Sequence, residues 1–160
     1  MNLRPPSILA SALAAAALAA AAGAAMAQQA PKPEALIKSR QSAFQLVAFN
    51  SSRIKANLDG TYNKDDVLKA ANTIAAIANS GLGALFAPGT ETGKGWHETS
   101  SKPELFKDLK KFAELGGNFS KEANELSKVA AGGDVAAVKE QYAKLSRTCK
   151  ACHDDFKAKD

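Results

Sequence analysis

The sequence predicts an all-α chain folded as an antiparallel up-down-up-down four-helix bundle. Three observations predict it. Four amphipathic stretches repeat apolar residues every three or four positions, clusters of Gly, Pro and Asn separate them, and no stretch alternates apolar and polar residues as a half-buried strand does. Of the 160 residues, 46% are apolar and 23% charged, a balance unlike that of disordered or collagen-like chains. Residues 28–160 have the length of one domain.

The segment before residue 28 reads as a leader. Met1–Ala27 contains 13 alanines and a single charge, Arg4. Arg4 supplies the positive start, Ile8 to Ala22 is an apolar run broken only by Ser11, and Ala25-Met26-Ala27 fits an A-x-A cleavage site. The run approaches the length of a membrane span. Alanine drives insertion only weakly, however, and no basic stop-transfer cluster follows. The expectation is a secretory signal peptide over 1–27, removed after Ala27. The product, residues 28–160, is then a periplasmic or equivalent exported protein with no membrane attachment. Both methionines, Met1 and Met26, belong to the leader.

The first helix, from about Glu34 to Leu58, sets Ile37, Phe44, Ser51 and Leu58 at heptad spacing, with Val47 and Ile54 between them. Asp59-Gly60 ends it. The second, from about Asp65 to Ser80, carries Val67, Leu68, Ala71, Ile74, Ala75 and Ala78 on one face, and Gly81 and Gly83 stop it. A loop from Gly83 to Lys102 follows, and a connection of about 20 residues in a compact domain is usually functional. Pro103 stands where a first helical residue belongs, with Ser101 or Lys102 as cap. The third helix carries Phe106, Leu109, Phe112, Phe119, Leu126 and Val129, and Gly116-Gly117 in its middle reads as a point of close packing. Gly132-Gly133 closes it, and Asp134 is a good N-cap for the fourth. In that last helix Val135, Val138, Tyr142, Leu145, Cys149, Cys152 and Phe156 recur in alternating steps of three and four, the seam of a bundle helix.

Two of those seam residues carry chemistry. Cys149-Lys150-Ala151-Cys152-His153 is C-x-x-C-H, the attachment pattern of c-type haem. Thiols three positions apart on a helix share a face, so both can add to the vinyl groups of one porphyrin. His153 follows directly and can ligate the iron as proximal base. Other chemistries fit less well. A redox dithiol favours a helix N-terminus, and this pair lies near a C-terminal end. A structural zinc site needs four ligands, whereas the chain holds two Cys and two His in all. His97-Glu98 is no zincin motif, because Ser101 occupies the place of the second histidine.

With these residues in place, the chain resembles the cytochrome c′ family, class II c-type cytochromes with the haem motif near the C-terminus. That family is itself a standard example of the up-down bundle. The resemblance rests on Lys38-Ser39-Arg40-Gln41-Ser42-Ala43-Phe44, on Phe86-Ala87-Pro88-Gly89-Thr90-Glu91, and on Cys149 to Asp154. It implies one covalently bound haem c, held by Cys149 and Cys152, with His153 as axial ligand. It also implies that Arg40 and Gln41 meet the haem propionates, that Glu91 approaches the haem edge, and that Phe44 faces the iron on the distal side. Phe86 would lie near the ring and Lys157 beside the proximal histidine. A homodimer through the first two helices is implied as well.

A second axial ligand is usually Met or His. Residues 28–160 contain no Met, and their only other histidine is His97, read here as an exposed loop residue beside Trp96. A lysine ligand would require desolvating an ammonium group. The expectation is therefore five-coordinate, high-spin iron with an open apolar distal site that binds NO and CO. The alternative is a one-electron carrier of a periplasmic transport chain with a redox partner protein, and the two uses are compatible. An enzyme is not expected: peroxidase chemistry needs a distal general base, and the Phe44 face offers none. The net charge is +5, its lysines scattered along all four helices, which suggests neither nucleic-acid binding nor a single-purpose patch.

Overall fold

A proline opens the first long helix, and side chains cap the other three. Helix α1 (Pro33–Asp59) opens on a proline, whose fixed φ and missing N–H suit a first turn, and Glu34 follows at the positive end of the helix dipole. In α2 (Lys64–Ala78) the Asn63 side chain accepts from the Asp66 amide. A short 3-10 turn spans Leu82–Leu85. Helices α3 (Glu104–Lys107), α4 (Leu109–Gly132) and α5 (Val135–Phe156) complete the computed structural model, which describes residues 31–158. The leader expected over 1–27 lies outside the described residues. Asp134 caps α5 by accepting from the Ala136 and Ala137 amides. Gly133 ends α4 at φ 81°, a left-handed turn that favours glycine.

The four long helices form the expected bundle, with α4 packed on α2 and α5, and α2 on α1. Three expectations need correction. The third helix does not run unbroken from Pro103. It breaks at Asp108, because the Asp108 side chain turns back to accept from the Lys111 amide and caps a new helix there. No side chain caps α3, so neither Ser101 nor Lys102 has that role. Gly116 and Gly117 are not points of close packing: a Cβ on either would meet nothing within 4 Å.

Ile54, Val67, Ile74, Leu126 and Val138 are wholly buried at the bundle centre. Four alanines of α2 (Ala70, Ala71, Ala75 and Ala78) join them. Polar ties cross the layers. Gln141, 4% exposed, donates to the Glu122 carboxylate at 2.7 Å, and Tyr142 on α5 hydrogen-bonds Ser51 on α1, Oη to Oγ, at 2.9 Å. Among the described residues no helix is long and apolar enough to cross a membrane.

Arg53 and Asn57 of α1 both donate to the Asp66 carboxylate of α2. First Arg53 and then Asn57 hold that carboxyl below the usual range. A depressed folded value means the group stabilises the fold above its unfolded pKa and loses that contribution as pH falls through the folded value. Asp66→Asn is therefore expected to destabilise the protein at neutral pH and to flatten the acid limb of its stability curve. Denaturant midpoints measured between about pH 2 and pH 7 test this. An acid limb as steep as that of the unaltered protein would assign the acid loss elsewhere.

Candidate functional site

The tie between Tyr142 and Ser51 sets the register of the site. Phe44 lies seven residues before Ser51 on α1, and Cys149 seven residues after Tyr142 on α5. Each displacement is two turns, about 10 Å along the axis. The two helices run antiparallel, so both steps go the same way and bring Phe44 level with Cys149. The gap between α1 and α5 at that level is where the sequence puts a planar cofactor.

Cys149 and Cys152 are half-buried, one turn apart on the inner face of α5. The Cys149 thiol donates to the Leu145 carbonyl at 3.6 Å. Burial pushes both thiols up, and at Cys152 the neighbouring Asp155 adds to the effect. A reactive dithiol would show the opposite shift. Beside them, the His153 imidazole is held below its ordinary value by the surrounding protein and then by the Lys157 ammonium, against Asp154. The neutral ring is the form that ligates a metal.

The end of α5 is fastened to the long loop. Lys102 N donates to the Phe156 carbonyl and Ala158 N to the Ser100 carbonyl, each at 2.8 Å, and Ser101 pairs with Lys157. The Lys102 ammonium donates to the Asp154 and Asp155 carbonyls at 3.0 and 3.2 Å, satisfying acceptors that a helix end leaves open. Lys157 follows the last turn of α5, and its amide donates to the His153 carbonyl at 3.1 Å.

On α1, Arg40 is 3% exposed, although its surroundings are a loop. Nη1 donates to Leu85 O at 3.2 Å and Thr90 Oγ1 at 2.8 Å, and Nη2 donates to Thr90 O at 2.7 Å and Thr99 Oγ1 at 2.6 Å. Burial lowers its pKa, while the nearby Glu91 charge works against that. Gln41 grips the next part of the loop: it donates to the His97 carbonyl at 2.9 Å and accepts from the Trp96 amide at 2.7 Å. Gly95 passes so close to α1 that a Cβ there would lie 2.7 Å from Lys38 N and 2.8 Å from Lys38 Cα, besides striking the Gln41 amide oxygen. His97 is exposed, its Nδ1 2.8 Å from the Glu98 carbonyl.

Phe44 is 39% exposed and meets Phe86 edge-on, with ring centroids 6.3 Å apart. The row continues from Phe86 to Phe112 at 4.8 Å and from Phe112 to Phe156 at 6.1 Å. It joins α1, the loop, α4 and α5 along one side of the gap. Sequence reasoning assigned Phe112 and Phe156 to the core and missed them as walls of the site. Their helical spacing is the same for either role. Thr90, wholly buried, and Thr99 were missed as well, since loop residues show no periodicity.

These residues suit a haem. Among the described residues no group of three or more His, Cys, Asp and Glu side chains is arranged to hold a metal ion. The set fits a cofactor that brings its own four nitrogens and asks one imidazole of the protein. Arg40 is a buried cation whose hydrogen bonds all go to neutral acceptors, and buried charges are ordinarily paired. The carboxylate of a propionate would meet that need.

The family model described as Cytochrome C′ matches residues 35–157. A cytochrome c′ of Rhodocyclus tenuis is 66% identical over 130 residues, 81% of this chain and 98% of that protein. The crystal structure of cytochrome c′ from Thermochromatium tepidum is 45% identical, with a TM-score of 0.78, over 81% of this chain and 98% of that one. A ferrous variant of Alcaligenes xylosoxidans cytochrome c′ with bound NO is 28% identical, with a TM-score of 0.72 over 81% and 98%. Another variant of the Alcaligenes protein holds carbon monoxide. Because the match takes in all four long helices and the gap they enclose, the chain belongs to the cytochrome c′ family, and its cofactor is one covalently attached c-type haem.

Proposed function

We propose that this protein is exported to the periplasm, loses residues 1–27, and binds NO and CO at an open distal site without acting as an enzyme. When bound, the haem supplies an iron that takes a diatomic ligand or an electron. Cys149 and Cys152 anchor it, His153 is its proximal base, and Lys157 stands beside that imidazole, where burial first and the Lys157 charge second favour the neutral ring. Arg40 and Gln41 stand at the propionate edge, with Glu91 nearby in the loop. Phe44 and Phe86 close the distal face with rings that have no lone pair to donate.

The observation that carries this reading is the level placement of Phe44 opposite Cys149, with no thioether in residues 28–160. The NO and CO complexes of the Alcaligenes relatives support it. Leu46 and Phe49, 52% and 61% exposed on α1, support a homodimer through the first two helices. Electron transfer to a partner protein is compatible with the same site.

Phe44→Met tests the open site by offering a sulfur where the ring stood. Optical spectra should shift from high-spin toward six-coordinate low-spin iron. His97→Ala should leave the spectrum unchanged, because that side chain is occupied in the loop. A change from low spin to high spin on His97→Ala would instead favour a dedicated electron carrier.

A further inference from the structure

Arg40 does more in this fold than present a charge. Its two terminal nitrogens reach Leu85, Thr90 and Thr99, which lie 45 to 59 residues away along the chain. Those contacts span the stretch of loop that carries Phe86. The guanidinium also lies over the Phe86 ring, 4.9 Å from its centroid. Thr90 completes the clamp: its hydroxyl accepts from Arg40 and donates to the Ala87 carbonyl at 2.8 Å. Phe86 in turn meets the edge of Phe44.

We propose that Arg40 is a positioning residue for the distal face: it pins the 85–99 loop and the face of Phe86, and through Phe86 it sets how far Phe44 can swing aside. This rests on the reading of Phe44 as the distal residue. The chemistry requires a guanidinium. A flat fork can serve three loop residues at once and still stack on a ring, whereas an ammonium is a point charge with no face to stack. The loop, about 20 residues without regular structure over most of its length, would otherwise be free to move its aromatic side chain away.

The test uses the haem-loaded protein with two readouts: amide hydrogen exchange over residues 85–99 by mass spectrometry, and CO association with the ferrous form by stopped flow. Arg40→Lys and Thr90→Val should each speed exchange in the loop about tenfold, the equivalent of about 1.4 kcal/mol, while exchange in α4 stays as it was. Both should speed CO association severalfold. Thr90→Ser, which keeps the hydroxyl, should restore both. In a Phe86→Leu background, Arg40→Lys should add little to the CO rate, because the ring it acts through is gone. If Arg40→Lys fails to fold, Thr90→Val carries the same test.

Unchanged loop exchange would overturn the clamp. Faster exchange with an unchanged CO rate, in a protein where Phe44→Ala does speed CO association, would overturn the link to the distal face. Should Phe44→Ala itself leave CO association unaltered, the distal-site reading has failed, and the role assigned to Arg40 falls with it.

Discussion

Replacing Cys149 and Cys152 together by alanine is expected to leave no haem on the polypeptide after acid–acetone extraction, while the unaltered protein retains one. In each linkage a thiol adds across a vinyl double bond, so a carbon–sulfur bond forms, the thiol hydrogen passes to the neighbouring carbon, and no electrons are gained or lost overall. The two thiols are one turn apart and face the same way, so they can reach one ring together. Each single alanine variant should keep one link and resist extraction. The mass of the denatured protein reads this directly. Free extraction of haem from the unaltered chain would end the assignment of both cysteines. His153→Ala is a separate matter, for it should spare the mass and change the spectrum.

Ile74→Ala is expected to cost about 2–5 kcal/mol, the range for deleting a buried aliphatic side chain whose surroundings relax only in part. Ile74 is wholly buried in the central cluster, among the alanines of α2. Those small neighbours have no long side chains to swing into the space. At this chain length the loss corresponds to a melting temperature lower by roughly 10 °C. Guanidinium unfolding of the haem-loaded protein measures it, and the covalent link simplifies the experiment. Haem stays attached in the unfolded chain, so no free-ligand concentration enters the balance. Val135→Ala, at a position 42% exposed, should change stability by no more than about 0.5 kcal/mol. A comparable loss at both positions would mean that the cluster around Ile74 is not the centre of the core.

Much of the fold was legible because the helical signals are strong and local. Asn63, Asp108 and Asp134 cap through their own side chains, and two of these three lie at boundaries read from the sequence. Asp108 was not read, because a cap within an apolar-periodic stretch looks like any polar position on the outer face. The seam of α5 was legible in its middle and less so at its start. Val138, Leu145 and Phe156 are buried, whereas Val135 is exposed at the first turn of the helix. Periodicity tells which face a residue is on, but not whether a neighbouring helix extends far enough to cover it.

By itself, the sequence determined the class of the fold, three of the four long helices to within a few residues, and the cofactor, because C-x-x-C-H on an apolar seam is chemistry written in consecutive positions. Only the tertiary structure decided what the loop does. Arg40 reads in sequence as a surface or propionate-binding arginine, and only the fold shows that it is buried and also divides its donors among Leu85, Thr90 and Thr99. Gln41, read as its companion, holds the Trp96–His97 backbone through its side-chain amide. The row from Phe44 through Phe86 and Phe112 to Phe156 joins three helices and a loop. Contacts of that kind leave no period in the chain. They arise because packing four helices brings residues as many as 91 positions apart within hydrogen-bonding distance, and a buried charge must then take whatever acceptors the fold brings to it.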